Sequence, residues 1–167
     1  RRVLFRSELA RIDDRFIHGQ VLTKWVKIRP IDRIIIVSDS VAADEMRKTL
    51  VLSVAPANVA ASAVSVDKMI RAYKSPRYET TTAMLLFENP EDIVRLVEGG
   101  VDLKEVNVGG MRFDIERKQI TKSVSVNEKD IAAFRKLKAL GVKNELRQLP
   151  GDISQDFNDT LENALKS

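Results

Sequence analysis

His18 is the only histidine among 167 residues, and it stands in the run Ala10 to Val26, ARIDDRFIHGQVLTKWV. An imidazole can serve as nucleophile, general base or metal ligand near neutral pH. Three residues earlier, Arg15 supplies a planar guanidinium able to grip two phosphoryl oxygens at once. Asp13 and Asp14 lie just before that arginine, and Gly19 follows the histidine. A nucleophilic ring nitrogen beside an anion-gripping cation fits phosphoryl transfer. Asp14 either orients the imidazole or Arg15, or caps the helix that follows.

The elements on either side would place these groups. Leu9 to Ile12 reads as a short extended run, and Val21, Leu22, Trp25 and Val26 recur at the spacing of one buried helix face. His18 is therefore expected at a strand-to-helix turn. There, unpaired backbone N–H groups and the positive end of the helix dipole favour a phosphate.

Farther along, Arg33 to Ser38 and Thr82 to Phe87 are continuous apolar runs typical of buried parallel strands. Val59 to Val66, Glu105 to Val108, Ile120 to Val126 and Val142 to Leu149 read as further strands. Helices are expected after Ser38, from Lys68 to Tyr73, after Pro90, from Asn127 to Leu140 and at the C-terminus. About seven strands alternating with six helices imply an α/β fold: an open, mostly parallel, doubly wound sheet with helices on both faces. In such sheets ligands sit at the carboxyl ends of strands. That geometry makes Gly19, Asp39, Asn107, Gly109 and Lys122 further phosphate or pocket candidates. Asp39 has a capping role as its alternative, and the Gly109-Gly110 turn would let backbone approach a ligand closely.

With 44% hydrophobic residues the chain suffices for a single domain, 1–167, without staples. Cysteine is absent, which removes disulfides and thiol chemistry. No apolar run approaches the roughly 20 residues of a membrane span, so no direct membrane insertion is expected. The balance of 28 basic and 24 acidic residues gives +4. The basic residues are dispersed and aromatics make up only 5%, so nucleic acid is not an expected partner. Mild positive charge suits steering toward an acidic protein or a phosphoryl group, with Arg11 and Lys24 as candidates for the partner face. No GxxxxGK[ST] or post-strand GxGxxG motif occurs, nor a serine elbow. A non-catalytic binding or signalling module that takes a small anion or nucleotide in the same crevice is the alternative class.

The segment IDDRFIHGQV resembles the phosphorylation-site signature of IIB subunits in the mannose/fructose/sorbose class of the bacterial phosphoenolpyruvate-dependent sugar phosphotransferase system. VSDSVAADEMRKTL, LSVAPANV, AMLLFENPEDIVRLVEGG, VNVGGMRF, RKQITKSVSV and GVKNELRQLP are similar to that family in its usual order. The resemblance runs from Leu9 onward and is greatest to fructose-specific members of levan-utilisation type. It implies a cytoplasmic phosphocarrier, peripheral to the membrane through its permease. His18 would accept a phosphoryl group at Nδ1 from a phosphorylated IIA protein and pass it to a sugar, fructose or mannose, held by the IIC/IID permease. It further implies that Arg15 stabilises the phosphoryl group and that neither a metal nor an organic cofactor is needed. Arg1 to Glu8 departs from the pattern: Ser7 and Glu8 stand where branched aliphatics are usual, so the first strand is short or the leader is foreign sequence.

Overall fold

The computed structural model describes residues 6–78 and 80–167. In chain order the elements are β1 (Arg6–Asp13), α1 (Gly19–Lys27), β2 (Arg33–Val37), α2 (Asp39–Ala43), α3 (Glu45–Leu52), β3 (Ala60–Val64) and α4 (Val66–Lys74). A 3-10 turn (Pro76–Tyr78) precedes β4 (Thr82–Phe87), α5 (Pro90–Glu98) and β5 (Glu105–Gly110). The chain continues with β6 (Lys118–Gln119), β7 (Ser125–Val126), α6 (Glu128–Ala139), β8 (Lys143–Leu146), β9 (Gln155–Asp156) and α7 (Phe157–Leu165). The main sheet has seven strands in the order β3-β2-β4-β1-β5-β8-β9. Its pairings are parallel apart from β9, which runs antiparallel to β8.

Alternate residues of each strand point to opposite faces, and the two apolar cores divide accordingly. Ile35, Val37, Leu85 and Phe87 pack with Met69 of α4, Ile93 and Leu96 of α5, Phe134 of α6 and Leu161 of α7. Ile34, Ile36, Met84 and Leu86 pack on the other face with Leu22 and Trp25 of α1 and Val41 of α2. Both faces are thus covered, which is why β2 and β4 read as unbroken apolar runs. On the α1 side, the part of the sheet formed by β5 and β8 carries polar side chains, Asn107 and Glu145, both buried.

Several elements differ from the sequence reading. Ile120 to Val126 is no strand of the main sheet: Lys118–Gln119 and Ser125–Val126 form a separate antiparallel pair. The Thr121 hydroxyl accepts from the backbone N–H groups of Ser123 and Val124, making a turn of the alternating stretch. The seventh strand is instead β9. The helix expected after Ser38 is two, because the Asp44 side chain accepts from the Arg47 N–H and caps a second start. Ser65 caps α4, whose start at Val66 makes it longer than the expected Lys68 to Tyr73. Leu140 is 42% exposed and lies beyond the end of α6. The expectation for the leader falls largely outside the described residues, as does that for the Val21 side chain. β1 does begin at Arg6, and its register against β4 shifts between Ser7 and Leu9, where the sequence departs from the apolar pattern.

Candidate active site

β1 ends one residue later than the apolar run suggests, at Asp13. Arg11 and Asp13 therefore share a sheet face. The pairing of β1 with β5 shifts between Ile12 and Asp13, so that Asp13 stands opposite Gly110. The chain then turns sharply, with the Phe16 N–H donating to the Asp13 carbonyl at 2.9 Å. Phe16 has φ of 57°, the only non-glycine residue with positive φ among those described. Such a conformation is costly and persists where packing holds it. Here the buried Phe16 and Ile17 side chains anchor the turn, and the Arg47 guanidinium lies 5.8 Å from the Phe16 ring centroid. His18 is the extended residue immediately before α1 and makes no side-chain capping bond. Gly19 follows with φ of 44°.

Asp13 is the hub. Its carboxylate is wholly buried. It accepts from the Arg15 backbone N–H at 3.2 Å, from Arg15 Nε at 3.0 Å and Nη2 at 3.1 Å, and from Arg11 Nη2 at 3.2 Å. Asp13 Oδ2 lies 3.0 Å from His18 Nε2. Burial alone would raise the Asp13 pKa. The hydrogen bonds from Arg15 and His18, with the charge of Arg11, hold it below the ordinary carboxylate range. The bonds to Asp13 in turn raise Arg15 above its usual value. An ionised Asp13 requires the proton of a neutral imidazole on Nε2. Nδ1 then carries the lone pair and has no hydrogen-bond partner among the described residues.

The structure redistributes the expected site residues. His18 and Arg15 come together, but the orienting position expected of Asp14 belongs to Asp13. Asp14 instead accepts from the Arg112 N–H at 2.8 Å, and its own N–H donates to the Gly110 carbonyl at 3.2 Å, tying the His18 turn to the end of β5. Arg11, expected on the partner face, is 1% exposed and belongs to the interior. Asn107 is also buried, bonded to Arg11 and, through Nδ2, to the Arg147 carbonyl at 2.9 Å. Gly109 faces no ligand pocket, since the place of its missing side chain is taken by the Arg11 guanidinium. Asp39 is not brought to His18. It accepts from the Val66 N–H at 2.9 Å and from Arg95 at 2.7 Å, a role close to the capping alternative. Lys24 lies exposed in the last turn of α1, about 9 Å along the helix axis from His18 at 1.5 Å per residue.

Lys122 is brought into one crevice with Arg15, though His18 does not line it. With Arg15, Arg112, Asp14, Gly110 and Ser123, Lys122 lines this open crevice of about 430 Å³. Three cations against one carboxylate make this crevice attractive to an anion. A side chain at Gly110 would stand 3.2 Å from Arg15 Nη2 and 3.4 Å from Asp13 Oδ1, crowding both. The pairing of Asp13 with arginines was open to sequence reasoning, which missed Asp13 as the partner of His18 and missed Arg112. The signal for Asp13 was the alternation Leu9, Arg11, Asp13, which places two charges on one strand face; Arg112 had none.

The family model described as the sorbose-subfamily IIB component of the PTS system matches residues 7–167. The fructose-specific EIIB component of Bacillus subtilis (strain 168) is 68% identical over 158 residues, covering 95% of this chain and 97% of that protein. The mannose-specific EIIAB component of Escherichia coli (strain K12) is 56% identical over 92% of this chain, which spans 47% of that longer protein. Among solved structures, the IIB domain of the sorbose permease from Klebsiella pneumoniae superposes with a TM-score of 0.92 at 43% identity, covering 95% of this chain and 98% of that one. With its sheet and nearly its whole length matched, this chain belongs to the sorbose-subfamily IIB components of the phosphotransferase system.

Proposed function

We propose that the protein is a phosphocarrier in which His18 Nδ1 takes a phosphoryl group from a phosphohistidine on a IIA protein and delivers it to a sugar during uptake. The observation that carries this is the 3.0 Å contact between Asp13 Oδ2 and His18 Nε2, which directs the lone pair of a neutral ring to Nδ1. In the transfer, the Nδ1 lone pair forms the new N–P bond as the donor's N–P bond breaks, and the leaving imidazole keeps that electron pair. The partly exposed Arg15 and the α1 N-terminus supply positive charge to the phosphoryl oxygens, and positioning and electrostatics do most of the catalytic work.

The sugar is proposed as fructose, in line with the fructose-specific relative, with mannose as the second choice. The fused EIIAB relative supports a IIA partner. The IIC/IID permease would be the membrane-side partner, with this protein working at the cytoplasmic surface. No helix among the described residues is long and apolar enough to cross a membrane. Family membership displaces the small-anion binding module as the favoured alternative.

The test is incubation with a phosphorylated IIA protein. Acid-labile label should appear on His18 and chase to fructose in the presence of permease membranes. His18→Gln should take no label while unfolding within a few degrees of wild type, since a partly exposed turn residue contributes little core burial. Label on the His18→Gln protein would sink the proposal.

A further inference from the structure

Resting on that reading, we infer that Arg11 is a positioning residue for the transfer: its buried guanidinium keeps Asp13 charged and fixed while Arg15 leaves it for the phosphoryl oxygens. The two arginines hold Asp13 from opposite settings. Arg15 is 48% exposed and lines the crevice, so its fork can turn outward when a donor arrives. Arg11 is 1% exposed and cannot. Its Nη1 donates to the Asn107 side chain and to the Arg147 carbonyl at 3.2 Å, and its Nη2 to Asp13. The Trp25 ring centroid lies 5.4 Å from its guanidinium carbon.

Gly109 completes the seat. A Cβ there would stand 2.2 Å from Arg11 Cζ and 2.2 Å from Nη2, so the absence of a side chain at 109 sets where the charge rests. If Arg15 moves to the phosphoryl group, Asp13 loses its side-chain bonds from that residue in a fully buried position. A lone buried carboxylate tends to take up a proton. A protonated Asp13 would donate to Nε2 and shift the ring proton to Nδ1, removing the nucleophilic lone pair. Arg11 opposes that sequence from a place no phosphoryl group reaches.

Arg11→Lys and Gly109→Ala test this, the second by displacing the guanidinium without changing its charge. Phosphoramidate serves as a small chemical donor alongside phospho-IIA. Both variants should lower the maximal rate about 10- to 100-fold, the range for a partner that acts only through another residue, with half-saturation unchanged within about twofold, since ground-state binding is untouched. The ring nitrogen-15 spectrum of the sole histidine should change from one tautomer to a mixture. A wild-type rate in either folded variant, or a changed half-saturation at unchanged rate, would overturn the inference.

Should neither variant fold, the wild type decides. After phosphorylation by phosphoramidate the Arg11 guanidinium protons should stay protected from exchange while those of Arg15 change; free exchange at Arg11 would overturn it. Labelling by phosphoramidate with none from phospho-IIA would refute the phosphocarrier reading and leave these measurements on Arg11 standing.

Discussion

Replacing Asp13 by asparagine keeps the shape of the hub and removes its charge, and the structure sets two magnitudes for the result. The first concerns stability. Arg11 and Asp13 are 1% and 0% exposed, so the change leaves a buried guanidinium without its anion, which costs about 3–5 kcal/mol when one partner of a buried pair is lost. The second concerns rate. An amide can present its NH2 to Nε2 and so favours the tautomer with the proton on Nδ1, and a carboxylate-to-amide change behind a catalytic imidazole costs on the order of 10⁴ in turnover. Single-turnover transfer from phospho-IIA should fall by about three to four orders of magnitude, measured on protein shown folded by its near-ultraviolet spectrum. pH adds a separate check. The folded Asp13 pKa is depressed, so its stabilisation is fully present above the ordinary value near 4 and fades as pH falls through the lower folded value. Urea midpoints of wild type and Asp13→Asn should therefore converge in strong acid and separate above about pH 4. A variant that transfers within threefold of wild type, or whose stability gap ignores pH, would refute the assignment of Asp13 as an ionised orienting group.

Arg15→Lys keeps a charge but loses the two-point grip, so single-turnover transfer should slow by about one to three orders of magnitude; an unchanged rate removes Arg15 from the chemistry. Lys122→Glu, reversing one of the three crevice cations, should lower the second-order rate with phospho-IIA and flatten its salt dependence, while Lys24→Glu should do less. A stopped-flow ionic-strength series measures both. Burial pushes the Asp92 carboxyl up to about 6, so the folded state loses stability as pH rises from about 4 to 6 and stays lowered above that. Asp92→Asn should therefore be more stable than wild type by about 1–3 kcal/mol at pH 8 and nearly equal to it at pH 4, by urea denaturation at each pH.

The buried strands and the histidine turn were legible because each is a local pattern: apolar runs in β2 and β4, a polar stretch between an extended segment and an amphipathic helix. Asp13 was not legible as the hub. A charged residue at a strand end reads as solvent-facing until β5 and β8 are placed beside it, and its neighbour Asp14, nearer the histidine, took the orienting role instead. Arg11 failed for the same reason, since what buries it comes from residues 107, 109 and 147. Ile120 to Val126 misled in the opposite direction. Its alternation is that of a strand, but the Thr121 hydroxyl bonds two following N–H groups and turns the chain locally. β9 gave no signal, because a two-residue strand beside a helix cap has no period to read.

The reach of the bonds made by Arg11 has a consequence for how the site comes into being. The ten-residue signature lies in the first eighth of the chain, yet the charge behind it is seated by Asn107, 96 residues away, and by the Arg147 carbonyl, 136 residues away. A nascent chain that has not yet paired β5 with β8 holds every signature residue but lacks the long-range bonds that seat Arg11. On the proposed role of Arg11, full-rate phosphoryl acceptance should therefore appear only after the far half of the sheet has closed. The same distance means the signature is not portable: a transplant of residues 10–26 onto another parallel sheet carries the histidine but leaves the seat of its charge behind.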